Sequence, residues 1–571
     1  MPFRFAVAAG LGAMACHLHA QTPADRAEAG RQSEIIQRQA QEQLQRDLDA
    51  ARGGERAPSG LDTKDFLPKV DGSVPRGPCR NIQTVAISGA AHLSAASRER
   101  VLREFSGRCI GVTEIEQILA EITKDYVERG FITSRAYLPP QDMTTGTLEI
   151  QVVEGVIQDI QINDGGLKSI RPFNAFPAKT GELLNLRDLE QGIDQVNRLS
   201  SNSAQLDIKP GDQPGASTVV INNQPATPFH ASLSFDNQGS ESTGKDQAGL
   251  TLISDRLLGL NELMVLTHRQ SVPNDLQRKS SVSDSFSIVI PFGYSTFTAS
   301  KSRSTYVTTI NAPSGLQLKS DGVSSSDSLK LERVMYRDQR SRVSLSGGLT
   351  FKDSKNYLEG EYLVVSSRRL SVLDLGVSAS TNLLGGVVSL DLGLSKGLTR
   401  GAALVDPAGL PDYAPRAQFE KRTYGGSYFR PFTLFDTALT FFSQLTGQDS
   451  RHTLYGSEQI SIGGIYSVRG FSRNSLSGDK GYYLRNEVSM RPTFNVGSEA
   501  IAPRLYVALD TGKVGGKVPG PFEGSLTGMA LGVSVAWKAV SVDLSYARPL
   551  SFPSFFSREA PQTWVRMSFS I

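Results

Sequence analysis

The chain has 571 residues, 39% of them hydrophobic and 20% charged, with a mean hydropathy of −0.22. Its 60 basic and 57 acidic residues, a formal net charge of +3, are too evenly balanced to point to nucleic acid or to an acidic tail. Past the first 24 residues no run of about 18 apolar residues occurs, so any passage through a membrane has to be made by strands.

Residues 1–20 read as an export leader: Arg4 supplies the positive end, Phe5 to Ala15 the apolar run, and Leu18-His19-Ala20 the cleavage site. Ala13-Met14-Ala15-Cys16 is not read as a lipidation site, because Ala13 stands where Leu is usual. Cleavage at Ala20 leaves two cysteines, Cys79 and Cys109, in an oxidising compartment, and predicts that they are bonded. In the segment 21–52, residues Asp25 to Ala51 are rich in Gln, Arg, Glu and Ala with sparse apolar positions, a polar helix without much core to bury. Residues 53–78 mix Pro58, Pro68, Pro75 and Pro78 with Gly and Ser, the composition of an extended linker.

Two small units follow, at 79–155 and 156–226. In the first, Val85 and Ile87 mark a strand ending at Gly89. Thr113 and Glu116 suggest a capping box, and Ile115, Ile118, Leu119, Ile122 and Tyr126 keep helical spacing up to Gly130. Strands are expected at Phe131 to Leu138 and Thr147 to Val153. The second unit repeats the order: strand Ile157 to Ile162, a helix through Leu186, Leu189, Ile193 and Val196, and strands around Leu206 and Val219. Both read as β-α-α-β-β domains.

From residue 227 to 571 the pattern changes to period two, broken by Gly, Ser, Asn and Asp. Val540, Val542, Leu544 and Tyr546 form one apolar side, as do Leu531, Val533, Val535 and Trp537, and Val565, Met567, Phe569 and Ile571. A soluble sandwich would alternate in the same way. The length of the region, with no helical interruption, exceeds one ordinary sandwich and suits about 16 strands of roughly 9–11 residues closed into a barrel. The opposite faces are small and polar, which fits a wet lumen.

Several phrases resemble one family. Tyr126-Val-Glu-Arg-Gly130 through Pro139-Pro-Gln141, continuing to Leu148-Glu-Ile-Gln-Val-Val-Glu154-Gly155, is similar to the first POTRA domain of two-partner secretion transporters, the TpsB family typified by haemolysin activators. Leu206-Asp-Ile-Lys-Pro210-Gly211 with Gly215 and Ser217 resembles its second. Phe235-Asp236-Asn237-Gln-Gly239 with Thr243-Gly244 is similar to the opening barrel hairpin. The most specific phrase, Ser457-Glu458-Gln459-Ile-Ser-Ile-Gly463-Gly464-Ile-Tyr-Ser-Val468-Arg469-Gly470-Phe471, resembles the family's signature loop. One departure is the end, Phe569-Ser570-Ile571, where such barrels usually close on an aromatic.

The resemblance implies a transmembrane β-barrel of about 16 antiparallel strands, preceded by two small α/β POTRA domains and an N-terminal helix that plugs the lumen. It places the signature loop inside the barrel, with its arginine on an acidic residue of the inner wall. Parity selects that residue here: Leu505, Val507 and Leu509 form an apolar side, so Tyr506, Ala508 and Asp510 turn inward and Asp510 is oriented to meet Arg469. The implied setting is a Gram-negative outer membrane with its lipid and lipopolysaccharide, and POTRA domains in the periplasm. The implied partner is a dedicated secreted exoprotein, whether adhesin, cytolysin or contact-dependent toxin. A barrel-assembly insertase of the same superfamily and a passive porin are the neighbouring readings.

Motifs for chemistry are weak. Gly393-Leu-Ser395-Lys-Gly397 has a nucleophile-elbow pattern without a following helix, and reads as a strand end or turn. Gly239 to Asp246 has phosphate-loop spacing, but Asp246 stands where the magnesium-binding Ser or Thr belongs. No enzyme activity, metal or cofactor is expected.

Overall fold

The computed structural model describes residues 25, 26, 28–37, 39, 63–68, 78–311, 315–517 and 523–571. The predicted leader and most of the predicted linker lie outside them.

In the first small domain, strand Thr147–Val153 pairs in parallel with Thr84–Ser88 and antiparallel with Arg135–Tyr137. Helices Ala95–Phe105 and Val112–Glu128 cover one face, burying Val101, Ile115, Ile118, Ile122 and Tyr126 against Val85, Leu148, Ile150 and Val152. The second helix starts at Val112, earlier than the Thr113–Glu116 box implies, because Glu114 reaches back and accepts from the Gly111 N–H at 2.8 Å. Strand Arg80–Ile82 pairs with Arg108–Ile110, and the Cys79–Cys109 disulfide joins these two segments.

The strand expected at Phe131 to Leu138 is confined to Arg135–Tyr137. Gly130 turns the chain at φ +95°, and Ser134 N donates to Phe131 O at 3.1 Å, so Phe131 to Ser134 form a turn. That turn carries Ile132 into the core of the next domain, beside Ile157, Leu184, Leu186 and Leu189, so the two domains share apolar packing. The predicted linker also contributes: Thr63–Phe66 is a 3-10 helix, and Phe66 and Leu67 pack on the same core. Burial of these two apolar side chains overrides the Pro-rich composition around them.

The second domain pairs Ala216–Asn223 with Val156–Asn163 in parallel and with Ala204–Pro210 antiparallel. Its helix Leu186–Asn197, capped by Asn185, lies against the barrel's turns. Arg337, at the end of a barrel strand, donates to Asp194 at 2.6 Å, and Gln195 Nε2 donates to Gly293 O at 3.0 Å.

Sixteen long antiparallel strands, from Phe229–Asp236 to Gln562–Ser570, close into a barrel among the described residues. Most of its turns on the side of the small domains are short, such as 293–294, 384–385, 435–436 and 538–539, with 491–503 a longer exception, and those on the other side are mostly longer. This is the asymmetry of an outer-membrane barrel. Leu390, Leu392, Val507, Leu509, Leu531 and Leu544 point outward and are exposed, while Tyr506, Ala508, Ala530 and Ala547 are buried inside. Ser395 sits within strand Gly386–Leu398, not at its end or in a turn, and its hydroxyl donates to Asp374 on the neighbouring strand.

Candidate functional site

Between strands Thr437–Ser450 and Lys480–Met490, residues 451–479 fold back into the lumen. Within them Ile460–Ile462 pairs with Leu476–Gly478 to make a short hairpin. Its apolar side, Ile460, Ile462, Val468, Phe471 and Leu476, packs on Val514 and Leu526 of the barrel wall. Gly463 and Gly464, both at positive φ, bend the chain after the first hairpin strand.

Arg469 follows as the loop's polar anchor, almost fully buried. Its Nε donates to Asp510 Oδ2 at 2.6 Å and its Nη2 to Oδ1 at 2.8 Å; its backbone N–H donates to the same carboxylate at 3.1 Å. A third guanidinium nitrogen, Nη1, donates to Glu487 at 3.1 Å. Glu487 also pairs with Arg504, whose guanidinium lies 4.8 Å from the Tyr506 ring. Two arginines and two carboxylates therefore form one charge-balanced cluster in a largely dry place, the condition under which ion pairs are strong.

Two glycines let the loop backbone reach the wall. Gly470 has φ +107°, and a Cβ there would stand 2.5 Å from the Arg548 carbonyl carbon. Gly528, which pairs with Asp510 in the sheet, would place a Cβ 1.7 Å from Arg469 O.

A second anchor holds the loop's start. The buried Glu458 carboxylate accepts from Lys352 Nζ at 2.5 Å and Lys421 Nζ at 2.9 Å. On the far side Glu559 accepts from the backbone N–H groups of Ser472, Arg473 and Asn474 at 2.8, 3.2 and 2.6 Å. Sequence reasoning found Arg469 and Asp510 but missed Glu487, Gly528 and Glu559. Glu458 belongs to the signature-loop phrase, but nothing in the sequence marks Lys352 and Lys421 as its partners.

Beside the loop, residues 25–39 are helical where described, and they occupy the lumen. Ala29 packs on Ile310, Leu318, Leu358 and Leu363. Ile36 is buried as well, and polar contacts accompany these: Tyr306 OH donates to Ser33 Oγ at 2.6 Å, and Gln37 Nε2 to Asn356 Oδ1 at 2.7 Å. Glu34 pairs with the wall residue Arg368 and accepts from the Gly456 N–H of the loop at 2.9 Å, so one carboxylate touches both wall and loop.

The POTRA-motif residues sit elsewhere, in the small domains. Gln141 pairs with the backbone of Glu149 through both its amide groups, each at 2.7 Å, next to Pro139. Glu154 accepts from Tyr126 OH at 2.6 Å and from His92 N at 2.7 Å. Burial pushes its carboxyl up, but these hydrogen bonds outweigh burial and hold it below the usual carboxylate range. Gly155 N donates to Ser134 Oγ, and the carbonyls of Gly155 and Gly130 accept from Leu184 N and Leu186 N, so these residues stitch the two domains together.

A closed barrel with tandem β-α-α-β-β domains before it, and a lumen filled by its own helix and loop, defines an outer-membrane transporter of the POTRA-barrel class. Residues 215–535 match the family described as haemolysin secretion/activation protein ShlB/FhaC/HecB, residues 81–155 the ShlB-type POTRA domain and residues 156–210 a further POTRA domain. The outer membrane transporter CdiB of Dickeya dadantii (strain 3937) is 33% identical over 96% of this chain and 95% of its own length. The hemolysin transporter protein ShlB of Serratia marcescens is 32% identical over 86% of each. The solved structure of CdiB from Escherichia coli is similar, with a TM-score of 0.85 at 31% identity over 95% of this chain and 99% of that one. The chain belongs to the ShlB/FhaC/HecB haemolysin secretion/activation family: it is a two-partner secretion transporter of the outer membrane, with its POTRA domains in the periplasm.

Proposed function

We propose that the chain takes up one dedicated exoprotein by strand addition to its POTRA sheet edges and passes it through the lumen once the helix within residues 25–51 has withdrawn. Main-chain pairing needs no particular client sequence, while side-chain pockets beside the edge supply selectivity. The edge strands Arg135–Tyr137 and Ala204–Pro210 each have one unpaired side in their own sheets, which suits that use.

The observation that carries this reading is the chemistry of the lumen helix. Among its described residues it is held largely by hydroxyl, amide and carboxylate contacts, with Ala29 and Ile36 as its buried apolar positions, so water can replace most of the polar contacts it leaves. The tether allows withdrawal too. Between a helix ending at Ala51 and the docked segment Thr63–Phe66, residues 52–62 could span at most about 36 Å when fully extended, more than the hydrocarbon thickness of a bilayer.

In this reading the chain performs no catalytic step, and folding of the client outside supplies the drive. Hemolysin transporters are among its relatives, and the client classes open to it are adhesins, cytolysins and contact-dependent toxins. The outward apolar faces contact outer-membrane lipid, including lipopolysaccharide on the outer leaflet. Deleting residues 25–51 should raise the ion conductance of the purified protein in planar bilayers; an unchanged conductance would remove the helix from the role of plug.

A further inference from the structure

The second POTRA domain carries exposed apolar side chains where it meets the barrel. Phe173 is 70% exposed in the short helix Pro172–Ala175, whose neighbours Asn174 and Ala175 are buried. Leu167 is 64% exposed in the preceding loop. Neither packs on the domain's core, and a soluble domain gains nothing by wetting a leucine and a phenylalanine only six residues apart.

Their location is fixed by hydrogen bonds to two periplasmic turns. Asn174 Nδ2 donates to Leu260 O at 2.6 Å, and Asn261 Nδ2 donates to Arg171 O at 2.7 Å. Gly293 N donates to Asn174 O at 2.7 Å, and Arg256 Nη1 donates to Lys168 O at 3.3 Å. Those turns bear the exposed Leu257 and Leu258, and Phe292, which ends the outward face of strand Ser280–Phe292 immediately before Gly293. Phe173 and Leu167 are thus held against the lower rim of the lipid-facing surface and continue it onto the periplasmic domain.

Charge is arranged to match. Lys168 and Arg171 are exposed in the same segment, whereas the nearby carboxylates of Asp164 and Glu262 are buried and turned onto backbone N–H groups. Apolar tips flanked by basic side chains are what an interfacial contact with a phospholipid leaflet requires.

We propose that Leu167 and Phe173 of the second POTRA domain insert into the periplasmic leaflet of the outer membrane, with Lys168 and Arg171 at the phosphate level. This fixes the domain on the bilayer as well as on the barrel. It rests on the barrel being membrane-embedded and not on the route of the client.

The test uses full-length protein bearing a single added cysteine, Leu167→Cys or Phe173→Cys, labelled with a polarity-sensitive maleimide fluorophore. Each is reconstituted into phosphatidylethanolamine–phosphatidylglycerol vesicles whose acyl chains carry bromine. Tyr137→Cys, exposed on the first POTRA domain, is the aqueous reference, and Leu390→Cys, on the barrel's outer face, the lipid reference. Labels at 167 and 173 should emit to the blue of the label at 137 and be quenched several-fold more strongly, towards the level at 390. Quenching no stronger than at 137 overturns the proposal. A blue shift without quenching overturns it as well, since it would mean that protein and not lipid covers the patch.

Discussion

Arg469 has three separate nitrogen donors on the Asp510 carboxylate, including its own backbone N–H, and a fourth on Glu487. Removing the guanidinium leaves a carboxylate without exposure, a loss of about 3–5 kcal/mol in comparable buried pairs. That loss falls on the loop, because the barrel's strand ladder does not depend on it. We therefore expect Arg469→Ala to assemble as a barrel with normal heat-modifiable migration, and to secrete little client. Arg469→Lys should rescue poorly, since one ammonium cannot reproduce a forked contact with Asp510 while also reaching Glu487. Secretion by the lysine variant at the parental level would show that only charge matters. Period-two parity is enough to turn Asp510 inward, so this pair is legible in the sequence. Glu487, Arg504, Glu458, Lys352 and Lys421 are not, because many inward charges share that parity and only the barrel's closure decides which of them meet.

Among the elements, the period-two strands were the easiest to read, because one lipid-facing and one wet face repeat the same alternation sixteen times. The overlong strand at Phe131 to Leu138 shows where pattern fails: apolar Phe131 and Ile132 belong to a turn that serves two cores. The N-terminal helix misleads in the opposite sense. Its polarity suggests a helix with nothing to pack on, yet Ser33 and Gln37 are buried because the lumen wall offers them Tyr306 and Asn356 as hydrogen-bond partners. Ser33 Oγ also stands 3.5 Å from Ser320 Oγ on the wall, close enough to exchange both for cysteines. Ser33→Cys with Ser320→Cys should lock the helix in place, stopping secretion under oxidising conditions and restoring it with reductant. Either single variant should secrete normally in both conditions. Secretion undiminished by a verified cross-link would mean that the client passes with the helix still inside.

At the scale of the whole molecule, closure depends on one seam between the first and last strands. Adjacent long strands elsewhere pair over eight or more residues, but Phe229–Asp236 and Gln562–Ser570 pair over five, from Arg566↔Asp236 to Ser570↔Ser232. Two devices extend the seam. At one end Ile571 and Ala231 exchange both backbone hydrogen bonds, at 3.0 and 2.9 Å, so the non-aromatic last residue still closes the ring. At the other, Asn237 lies just past its strand and its side chain acts as a further peptide unit: Nδ2 donates to Thr563 O at 3.0 Å and Oδ1 accepts from Val565 N at 2.8 Å. Two such bonds contribute about 1–3 kcal/mol together, applied at the shortest ladder in the ring. Asn237→Ala should therefore lower the temperature at which the folded barrel converts to the slower-migrating unfolded form in detergent electrophoresis. Asn237→Asp, which keeps the acceptor for Val565 but loses the donor to Thr563, should fall between the two. If both variants melt with the parent, the ladder's backbone bonds alone are sufficient to hold the ring, and the side-chain clasp adds nothing to closure.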